Sequence, residues 1–545
     1  MPELLYPENY ESMKPKVHSM AVVGHTTSSS VRLWARAYKS GKWWMLVSEK
    51  KLEESVYSLS NKNPEDIQKQ HSYVVGLKSS QLYRENGLTC HFTFEGLESE
   101  RKYYYYFIGP ETCERRVELG SNHKHWFRTL PKEPSRLRFG FYSCHDPYSV
   151  KPPSEGAWES FREVLEDREA HFVIGGGDQV YCDTNDETRI QDVWSWLRDN
   201  KQALFEKYSD DSGMLDETRL VNYFSKLYRT YYRVYWNFEN VRAVYRRFPQ
   251  YMIWDDHEIM DGWGSLTQEE REEKLSKRFR DDNPERDYQL VMLMFRAASR
   301  VYWEFQHSHN PCTKIDLEDL GSCQWDYSFD HGDFAFYALD MRGHHDCERD
   351  SFRLLGEEQF SRFQNWIKSR KVAKKEAIFI ISPVPIVHWN ETVANTLDIG
   401  SVKDDFMDEW GHEDNHDERN KLLDLLLKFS DRHQVPVVVL SGDVHCASAF
   451  RISHSDRYKK ASLFNVTSSA ISRHPASSLS DFIMQGSANI AGYDGYYEKL
   501  YSVAGKNNFA FINAYSFEGE LTVGASLYRS GPESDDLHQK YIPLV

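Results

Sequence analysis

Four short apolar runs each end in side chains that can bind a metal ion, and this repeated pattern constrains the fold most. The runs occupy 137–142, 172–174, 251–254 and 437–440. They lead into SCHD at 143–146, GGGDQVY at 175–181, DDHE at 255–258 and SGDVH at 441–445. Buried strands read as such continuous apolar runs, and ligands bind outside the carboxyl ends of strands in open α/β sheets. The sequence therefore predicts one site at several strand ends.

Segments between these runs have helical periodicity. Apolar residues recur at three- and four-residue spacing within 154–168, 220–231, 360–367 and 422–429. Strands alternating with helices of this kind predict an α/β domain with helices covering a central sheet. The charged run 268–287 interrupts the pattern, and we interpret it as a solvated helix or flap.

The first 130 residues have a different pattern of apolar and polar residues. Short alternating or aromatic-rich runs lie at 30–37, 43–47, 72–77, 89–94 and 102–108. Many short strands without an amphipathic helix are typical of a β-sandwich. Two prolines within 130–135 indicate a linker. We therefore expect a small all-β sandwich domain over 15–131 and an α/β domain over 135–530.

Each motif also has a purely structural explanation. Asp178 could belong to a turn, Asp255 and Asp256 could begin a helix, and Cys144 could be a small buried apolar residue. His445 alone is more often a structural histidine than a ligand. Ligand-type residues at four separate strand ends are improbable as turns alone, so their joint occurrence favours a metal site.

The spacing of the motif residues does not fit other enzyme classes. Val180 stands where the dinucleotide fingerprint needs its third glycine, and the sequence has neither a phosphate-binding P-loop nor a GxSxG nucleophile motif. A glycosidase needs two facing carboxylates, whereas Asp255 and Asp256 would point to opposite faces of a continuing strand. That alternative keeps weak support.

Charge and targeting features restrict the partners. The chain has 67 Lys and Arg against 83 Asp and Glu, so 67 − 83 gives a net charge of −16. This charge argues against nucleic-acid and anionic-membrane surfaces. Residues 1–20 lack a signal-peptide pattern, no apolar run approaches the about 20 residues of a membrane span, and the eight cysteines form no CxxC pair. We expect a cytoplasmic protein without a membrane partner.

The motifs together resemble those of the PhoD-like alkaline phosphatase D family of metallophosphoesterases. The resemblance rests on SC at 143–144, GDxxY at 177–181, WDDHE at 254–258 and SGDVH at 441–445. Looser matches are LDMR at 339–342, LGEEQ at 355–359 and VGHTTSSSVRLWARA at 23–37, so the resemblance covers most of residues 20–475. It implies a four-layer α/β/β/α metallophosphoesterase domain behind the sandwich.

The resemblance also implies a metal cluster of Fe³⁺ and Ca²⁺, with Zn²⁺ or Mn²⁺ as alternatives. Cys144 and Tyr181 would bind iron and Asp178 would bridge the metals. Asp255 or Asp256 would be a further ligand, and the choice between them stays open. The expected ligands are completed by Asp443, His445 and Asp261, the last standing near a position where the family often has Asn. His145 departs from the family's usual Gln.

This cluster implies a phosphoric ester hydrolase, phosphatase or phosphodiesterase, that acts on a small phosphate ester. The metals would lower the pKa of a bound water from 15.7 to about 7 and so provide hydroxide. His257 would face the phosphate as a donor or general acid. Arg342 would hold a phosphate oxygen or form a structural ion pair with Asp340. The alternative is a catalytically silent protein that binds phosphate ligands on the same scaffold. The sequence predicts no oligomeric state.

Overall fold

A computed structural model describes most of the chain. The described residues are 19–53, 63–113, 116–133, 136–184, 191–279, 283–388, 409–476, 487–530 and 537–545. Three features of the sequence analysis fall partly outside them, namely the N-terminal segment 1–18, residues 134–135 of the expected linker and residues 280–282 of the charged run.

The first eight strands form two antiparallel sheets that pack face to face. They are β1 (Met20–Thr26), β2 (Ser30–Arg36), β3 (Gly41–Ser48), β4 (Val74–Leu82), β5 (Thr89–Glu95), β6 (Lys102–Ile108), β7 (Val117–Leu119) and β8 (Trp126–Arg128). One sheet has the order β1-β2-β5 and the other β4-β3-β6-β7, with β8 also on β6. Leu33 of the first sheet and Trp43 of the second share one apolar core. The sandwich is thus confirmed, and its limits at 15–131 stay a prediction.

The remaining strands form two mixed sheets. The six-stranded sheet has the order β11-β10-β9-β20-β21-β22, and the eight-stranded sheet has the order β12-β13-β14-β15-β17-β16-β19-β18. Their bounds are β9 (Arg136–Tyr142), β10 (Phe172–Gly176), β11 (Gln250–Ile253), β12 (Tyr327–His331), β13 (Phe334–Ala338), β14 (Ala377–Ser382), β15 (Val437–Ser441), β16 (Ala447–His454), β17 (Leu463–Ser468), β18 (Ala488–Asn489), β19 (Gly495–Val503), β20 (Asn508–Phe517), β21 (Glu520–Arg529) and β22 (His538–Pro543).

Helices cover the outer faces of these two sheets. The described helices are α1 (Pro64–Gln70, beside the sandwich), α2 (Trp158–Asp167), α3 (Val193–Tyr208), α4 (Glu217–Tyr235), α5 (Glu239–Tyr245), α6 (Gln268–Phe279), α7 (Pro284–Phe305), α8 (Glu357–Ile367) and α9 (His416–His433). Phe161 of α2 packs against Gly140 of the six-stranded sheet. Phe363 of α8 and Leu426 of α9 share a core with outward residues of the eight-stranded sheet.

The inner faces of the two sheets meet through aromatic rings. The Phe139 ring lies 5.6 Å from Phe336 and 5.3 Å from Phe379, both edge to face. Such pairs add about 0.5–1.5 kcal/mol each beyond the area they bury. The order of layers is therefore α/β/β/α, and the predicted fold class is confirmed.

The structure adds two findings to the fold expected from sequence. Strand β12 and strands β16 to β22 were not predicted. Strands such as β19 and β22 are half-exposed and lack a continuous apolar run, and the β20–β21 hairpin joins the sheet through β9. The charged run is also less solvated than expected. It forms α6 and the start of α7, and Leu275 and Phe279 of α6 are buried.

The sandwich contacts the α/β layers through specific hydrogen bonds. Trp34 Nε1 donates to the carbonyl of Glu304 at 2.7 Å, and the Tyr105 hydroxyl donates to the carbonyl of Arg246 at 3.0 Å. Elsewhere, all eight cysteines are free. Within the described part of the chain, none of the helices is both long and apolar enough to cross a bilayer.

Candidate metal centre

The carboxyl ends of strands from both mixed sheets meet at one buried place. Strands β9, β10 and β11 are parallel neighbours, so Cys144, Asp178 and Asp255 follow at the same edge. Asp443 and His445 follow β15 of the eight-stranded sheet. The backbone N–H of Cys144 donates to the carbonyl of Gly177 at 3.2 Å and joins two of these loops.

Several of these residues have a left-handed backbone. The φ angles are 56° at Cys144, 57° at Asp178, 65° at Asp443 and 52° at His445. A residue with a Cβ atom pays on the order of 1 kcal/mol for this conformation. Strained backbone conformations are common at functional sites, where the surrounding structure maintains them.

Glycine is required where two loops approach closely. Gly177 has φ +114°, and a Cβ atom there would lie 2.9 Å from Cβ of Asp255. The lack of a side chain lets the loop after β10 lie against the loop after β11. Asp178 and Asp255 thereby come close enough to share a ligand.

Glu258 holds these two loops in place. Its carboxylate accepts hydrogen bonds from the backbone N–H groups of Asp178 at 3.1 Å, Gln179 at 2.7 Å and Asp255 at 3.0 Å. It also accepts from Gln306 Nε2 at 2.9 Å. Burial raises the pKa of Glu258 to about 8. The sequence placed Glu258 in a motif without assigning it this organising role.

We name seven residues the inner cluster: Cys144, Asp178, Tyr181, Asp255, Asp256, Asp443 and His445. One oxygen each of Asp178, Asp255 and Asp443 lie within 4.8 Å of one another. Asp178, Asp256 and a ring nitrogen of His257 form a second group within the same distance. Asp178 belongs to both groups, which suits a bridging carboxylate.

Asp255 and Asp256 both reach this centre. On a continuing strand the two side chains would face opposite ways, but β11 ends at Ile253 and a 3₁₀ turn begins at Asp256. The backbone N–H of Gly262 donates to Asp256 Oδ2 at 2.7 Å. The choice between the two carboxylates as direct ligand therefore stays open.

The sulfur and phenol donors lie against Asp178. Cys144 Sγ is 3.5 Å from Asp178 Oδ2, and Ser469 Oγ donates to this sulfur at 2.9 Å. The Tyr181 hydroxyl donates to Asp178 Oδ2 at 2.9 Å and lies 3.2 Å from His445 Nε2. Burial, together with nearby carboxylates, raises the pKa of Cys144 and of Tyr181 well above their ordinary values. A cation is needed to hold either group deprotonated here.

Two carboxylate oxygens of the cluster are left without hydrogen bonds. Asp178 Oδ1 and Asp255 Oδ2 are buried and have no partner among the described residues. Burial raises the pKa of Asp178 to about 7 and that of Asp255 well above its usual range. Because buried charges in proteins are paired or coordinate metals, these oxygens fit a metal cluster with mixed oxygen, sulfur and nitrogen ligands.

Arg342 lies behind the acidic pair. Its Nε donates to Asp255 Oδ1, and its Nη2 is 3.7 Å from Asp256 Oδ1. Asp340 instead accepts the backbone N–H of Arg342 at 3.1 Å. The guanidinium is only 1% exposed. This placement lets Arg342 fix the orientation of Asp255, with Oδ2 of that carboxylate left without a partner among the described residues.

We name Asp183, His257 and Asp261 the outer cluster, because one ligand atom of each lies within 4.8 Å of the other two. Asp183 Oδ1 is 2.8 Å from His257 Nδ1, and Asp183 Oδ2 accepts the backbone N–H of Asp261. Burial lowers the pKa of His257, but Asp183, Asp256 and Asp178 outweigh it and raise that pKa well above 6.5. Asp261 is exposed and its carboxylate groups with Asp183 and His257.

Asp183 and Arg473 were not predicted to belong to the site. Asp183 stands two residues beyond Tyr181 in the same loop, a position that could have drawn attention to it. The Arg473 guanidinium lies 4.9 Å from the centre of the Tyr181 ring, and its Nη1 donates to Asp146 Oδ2 at 2.6 Å. No local sequence pattern around Arg473 indicates this contact.

His145 has structural contacts. Trp158 Nε1 donates to His145 Nδ1 at 2.9 Å, and His145 Nε2 lies 2.8 Å from the carbonyl of Tyr235. Burial lowers the pKa of His145 to about 4, so the ring is neutral near pH 7. Its departure from the family pattern thus concerns packing beside the site.

Comparison with solved structures shows the fold. A structure described as "Structure of PhoD" covers 99% of this chain and 93% of its own, with a TM-score of 0.60 at 16% identity. A second, described as "GAP50 the anchor in the inner membrane complex of Plasmodium", covers 75% of this chain and 89% of its own. Its TM-score of 0.31 at 11% identity is too low to support an argument.

Sequence comparison gives the family. The uncharacterized protein YGR266W of Saccharomyces cerevisiae is 23% identical over an alignment of 339 residues, and the match covers 52% of this chain and 45% of the yeast protein. The match thus spans less than half of that relative's length. The family described as PhoD-like phosphatase matches residues 139–499, about two thirds of this chain. The chain belongs to the PhoD-like phosphatase family.

Proposed function

We propose that this protein is a metal-dependent phosphoric ester hydrolase whose inner cluster binds at least two cations. The observation that carries the proposal is the pair of buried oxygens on Asp178 and Asp255 that have no partner among the described residues. Membership of the PhoD-like phosphatase family supports phosphoester hydrolysis as the reaction class.

The donor types support a mixed cluster. Cys144 and Tyr181 suit Fe³⁺, because a trivalent cation can hold both as anions, while the carboxylates suit Ca²⁺. Zn²⁺ and Mn²⁺ are the alternatives for the same residues. When bound, the cations would neutralise phosphoryl oxygens and lower the pKa of a water that attacks phosphorus.

His257 is the residue we propose to donate a proton to the leaving oxygen. Because Asp183 binds Nδ1, the ring presents Nε2 on its other side. The carboxylates of Asp183, Asp256 and Asp178 raise the pKa of His257 well above its ordinary value, which favours the protonated ring. Proton transfer from a positioned side chain typically contributes about 10²–10⁴-fold.

Arg342 and Arg473 would act differently. The buried contacts of Arg342 with Asp255 and Asp256 support a positioning role in place of direct contact with a phosphate oxygen. Arg473 is more accessible, since its side chain is 15% exposed, and it lies over the Tyr181 ring. It is the better placed cation for an incoming phosphate group.

The second candidate function is a silent phosphate-binding protein on the same scaffold. The proton donor pair of Asp183 and His257 favours the enzyme, because simple binding needs no buried acid beside the ligand. A cytoplasmic location and the absence of a nucleic-acid surface stay predictions.

Elemental analysis of the purified protein, combined with a screen of phosphate mono- and diesters, tests the proposal. We expect bound metal and hydrolysis that chelators abolish and metal readdition restores. Full activity in a rigorously metal-stripped sample would contradict the mechanism. Bound metal without turnover of either ester class would support the silent binding protein.

A further inference from the structure

A small cavity opens beside the outer cluster. It has a volume of about 70 Å³ and lies between the outer cluster and α6. It is lined by Asp183, Trp194, Asp261, Arg271, Lys274, Leu275 and Arg278. One water needs about 10–15 Å³ by a comparable measure, so the cavity can hold a group the size of a carboxylate or phosphate.

The α6 residues of this cavity occupy one helical face. Arg271, Lys274, Leu275 and Arg278 have the spacing i, i+3, i+4 and i+7, which places side chains on the same side of a helix. Three of the four are cations. Lys277 lies off this face, is 74% exposed and pairs with Glu273 at 2.6 Å. The charged run thus directs a basic face toward the site.

Arg271 is the most informative of these cations. It is only 6% exposed, and its guanidinium lies 4.9 Å from the centre of the Trp263 ring. Among the described residues, this guanidinium makes no ion pair and no hydrogen bond. Burying a cation without an anionic partner is costly, so its presence on the cavity wall points to an anion from outside the chain.

The other two cations, Lys274 and Arg278, complete the basic wall of the cavity. Arg278 lies 3.7 Å from Asp192 and 5.2 Å from the Trp194 ring centre, which orient it. Two carboxylates, Asp183 and Asp261, face three cations around the cavity. Asp183 and Asp261 belong to both the cavity wall and the outer cluster, so an anion in the cavity would lie beside His257, the proposed proton donor.

We propose that Arg271, Lys274 and Arg278 form a subsite for a second anionic group of the substrate. The preferred substrate is then a phosphoric ester that also bears a phosphate or carboxylate beyond the bond that is cleaved. This inference rests on the proposed hydrolase function. Arginine forks suit planar, bidentate contact with both kinds of anion, and lysine adds a point charge.

Matched substrates test the subsite in the metal-loaded protein. The compounds are propyl phosphate and two relatives with a terminal carboxylate or a terminal phosphate on the same chain. Each is also supplied as its 4-nitrophenyl diester, so that either ester class is measured. We expect kcat/KM to favour the doubly anionic compounds by about tenfold or more, chiefly through KM. The carboxylate and phosphate arms show which anion the subsite prefers.

Three variants decide the origin of that preference. Arg271→Gln and Lys274→Gln should each reduce it roughly tenfold, with metal content unchanged, because a charge-assisted hydrogen bond is lost. Lys277→Gln is the matched control on the same helix and should keep it. If Arg271→Gln does not fold, Arg278→Gln takes its place in the comparison.

The outcomes separate the subsite from the reaction. Equal kcat/KM for all three compounds in the wild type would overturn the subsite while leaving the hydrolase function intact. A preference that survives in Lys274→Gln and in the arginine variants would overturn the subsite in the same way. A wild type that hydrolyses no ester of either class would contradict the proposed function itself, and the subsite with it.

Discussion

The inner and outer clusters are adjacent, meet at His257 and are both rich in carboxylates, yet they satisfy their charges differently. In the inner cluster, Asp178 Oδ1 and Asp255 Oδ2 are buried without partners among the described residues. In the outer cluster, both oxygens of Asp183 accept hydrogen bonds from the chain itself. The chain completes the outer cluster and leaves the inner one incomplete.

This difference separates two tasks. An unpaired buried carboxylate is unfavourable, so a site that keeps several of them has its stability tied to a cation. A carboxylate that is already hydrogen-bonded to His257 would be stabilised less by a metal. It instead sets the orientation and charge of the ring. We infer that the inner cluster holds the metals and that the outer cluster orients His257 and favours its protonated form.

The largest expected effect follows from changing the inner cluster. Asp178→Asn removes the charge that both ligand groups share, so we expect turnover to fall by more than about 10³-fold together with metal content. Steady-state kinetics and elemental analysis on the same preparation measure both. Loss of rate with the full metal content retained would show that Asp178 is not a ligand.

A smaller loss is expected from the outer cluster. Asp183→Asn keeps the shape of the side chain and removes the charge that holds His257 protonated, so kcat should fall by about 10²-fold. KM and metal content should change little. If this variant instead loses metal as Asp178→Asn does, the division of tasks between the two clusters is wrong.

Stability of the metal-free protein should change in opposite directions in these two variants. At pH 8, Asp178→Asn should raise the free energy of unfolding by about 1–3 kcal/mol, because it removes a buried charge that the chain leaves unsatisfied. Asp183→Asn should lower it by about 1–3 kcal/mol, because a hydrogen bond to a charged group is lost. Denaturant titration of stripped protein measures both changes.

The pH dependence of the increase in unfolding free energy in Asp178→Asn provides the control for this prediction. The folded-state pKa of Asp178 is about 7, whereas an unfolded Asp titrates near about 3.9. A raised folded pKa means that stability from this group is present below pH about 4 and is lost as the pH rises through about 7. The gain should therefore vanish near pH 4, and a gain independent of pH would argue against charge as its cause.

The smallest structural change is expected from Tyr181→Phe. The ring stays packed against His257, with centroids 4.1 Å apart, and only the hydrogen bond of the hydroxyl to Asp178 is lost, so the free energy of unfolding of the metal-free protein should fall by about 1–3 kcal/mol. If Fe³⁺ is bound, loss of the phenolate should shift or remove a visible charge-transfer band and weaken iron retention. An unchanged spectrum with unchanged iron would exclude Tyr181 as a ligand. A colourless, iron-free wild type would leave Zn²⁺, Mn²⁺ or Ca²⁺ as the cluster metals.

Local sequence patterns were sufficient for the strands and helices that surround the site. Continuous apolar runs identified β9, β10, β11 and β15, because strands buried between layers need apolar side chains on both faces. Periodicity likewise identified α2, α8 and α9. Strands near the C-terminus such as β19 and β22 were not identified, because they are half-exposed and lack a continuous apolar run.

The sequence by itself determined which residue types stand at the strand ends, and hence the chemistry that the inner cluster can support. Only the tertiary structure decided the partners: Asp183 with His257, Arg342 with Asp255, Arg473 over Tyr181, and a basic face of α6 beside them. The physical reason is that a motif is local, whereas a charge is satisfied or left unpaired by whatever the folded chain brings next to it.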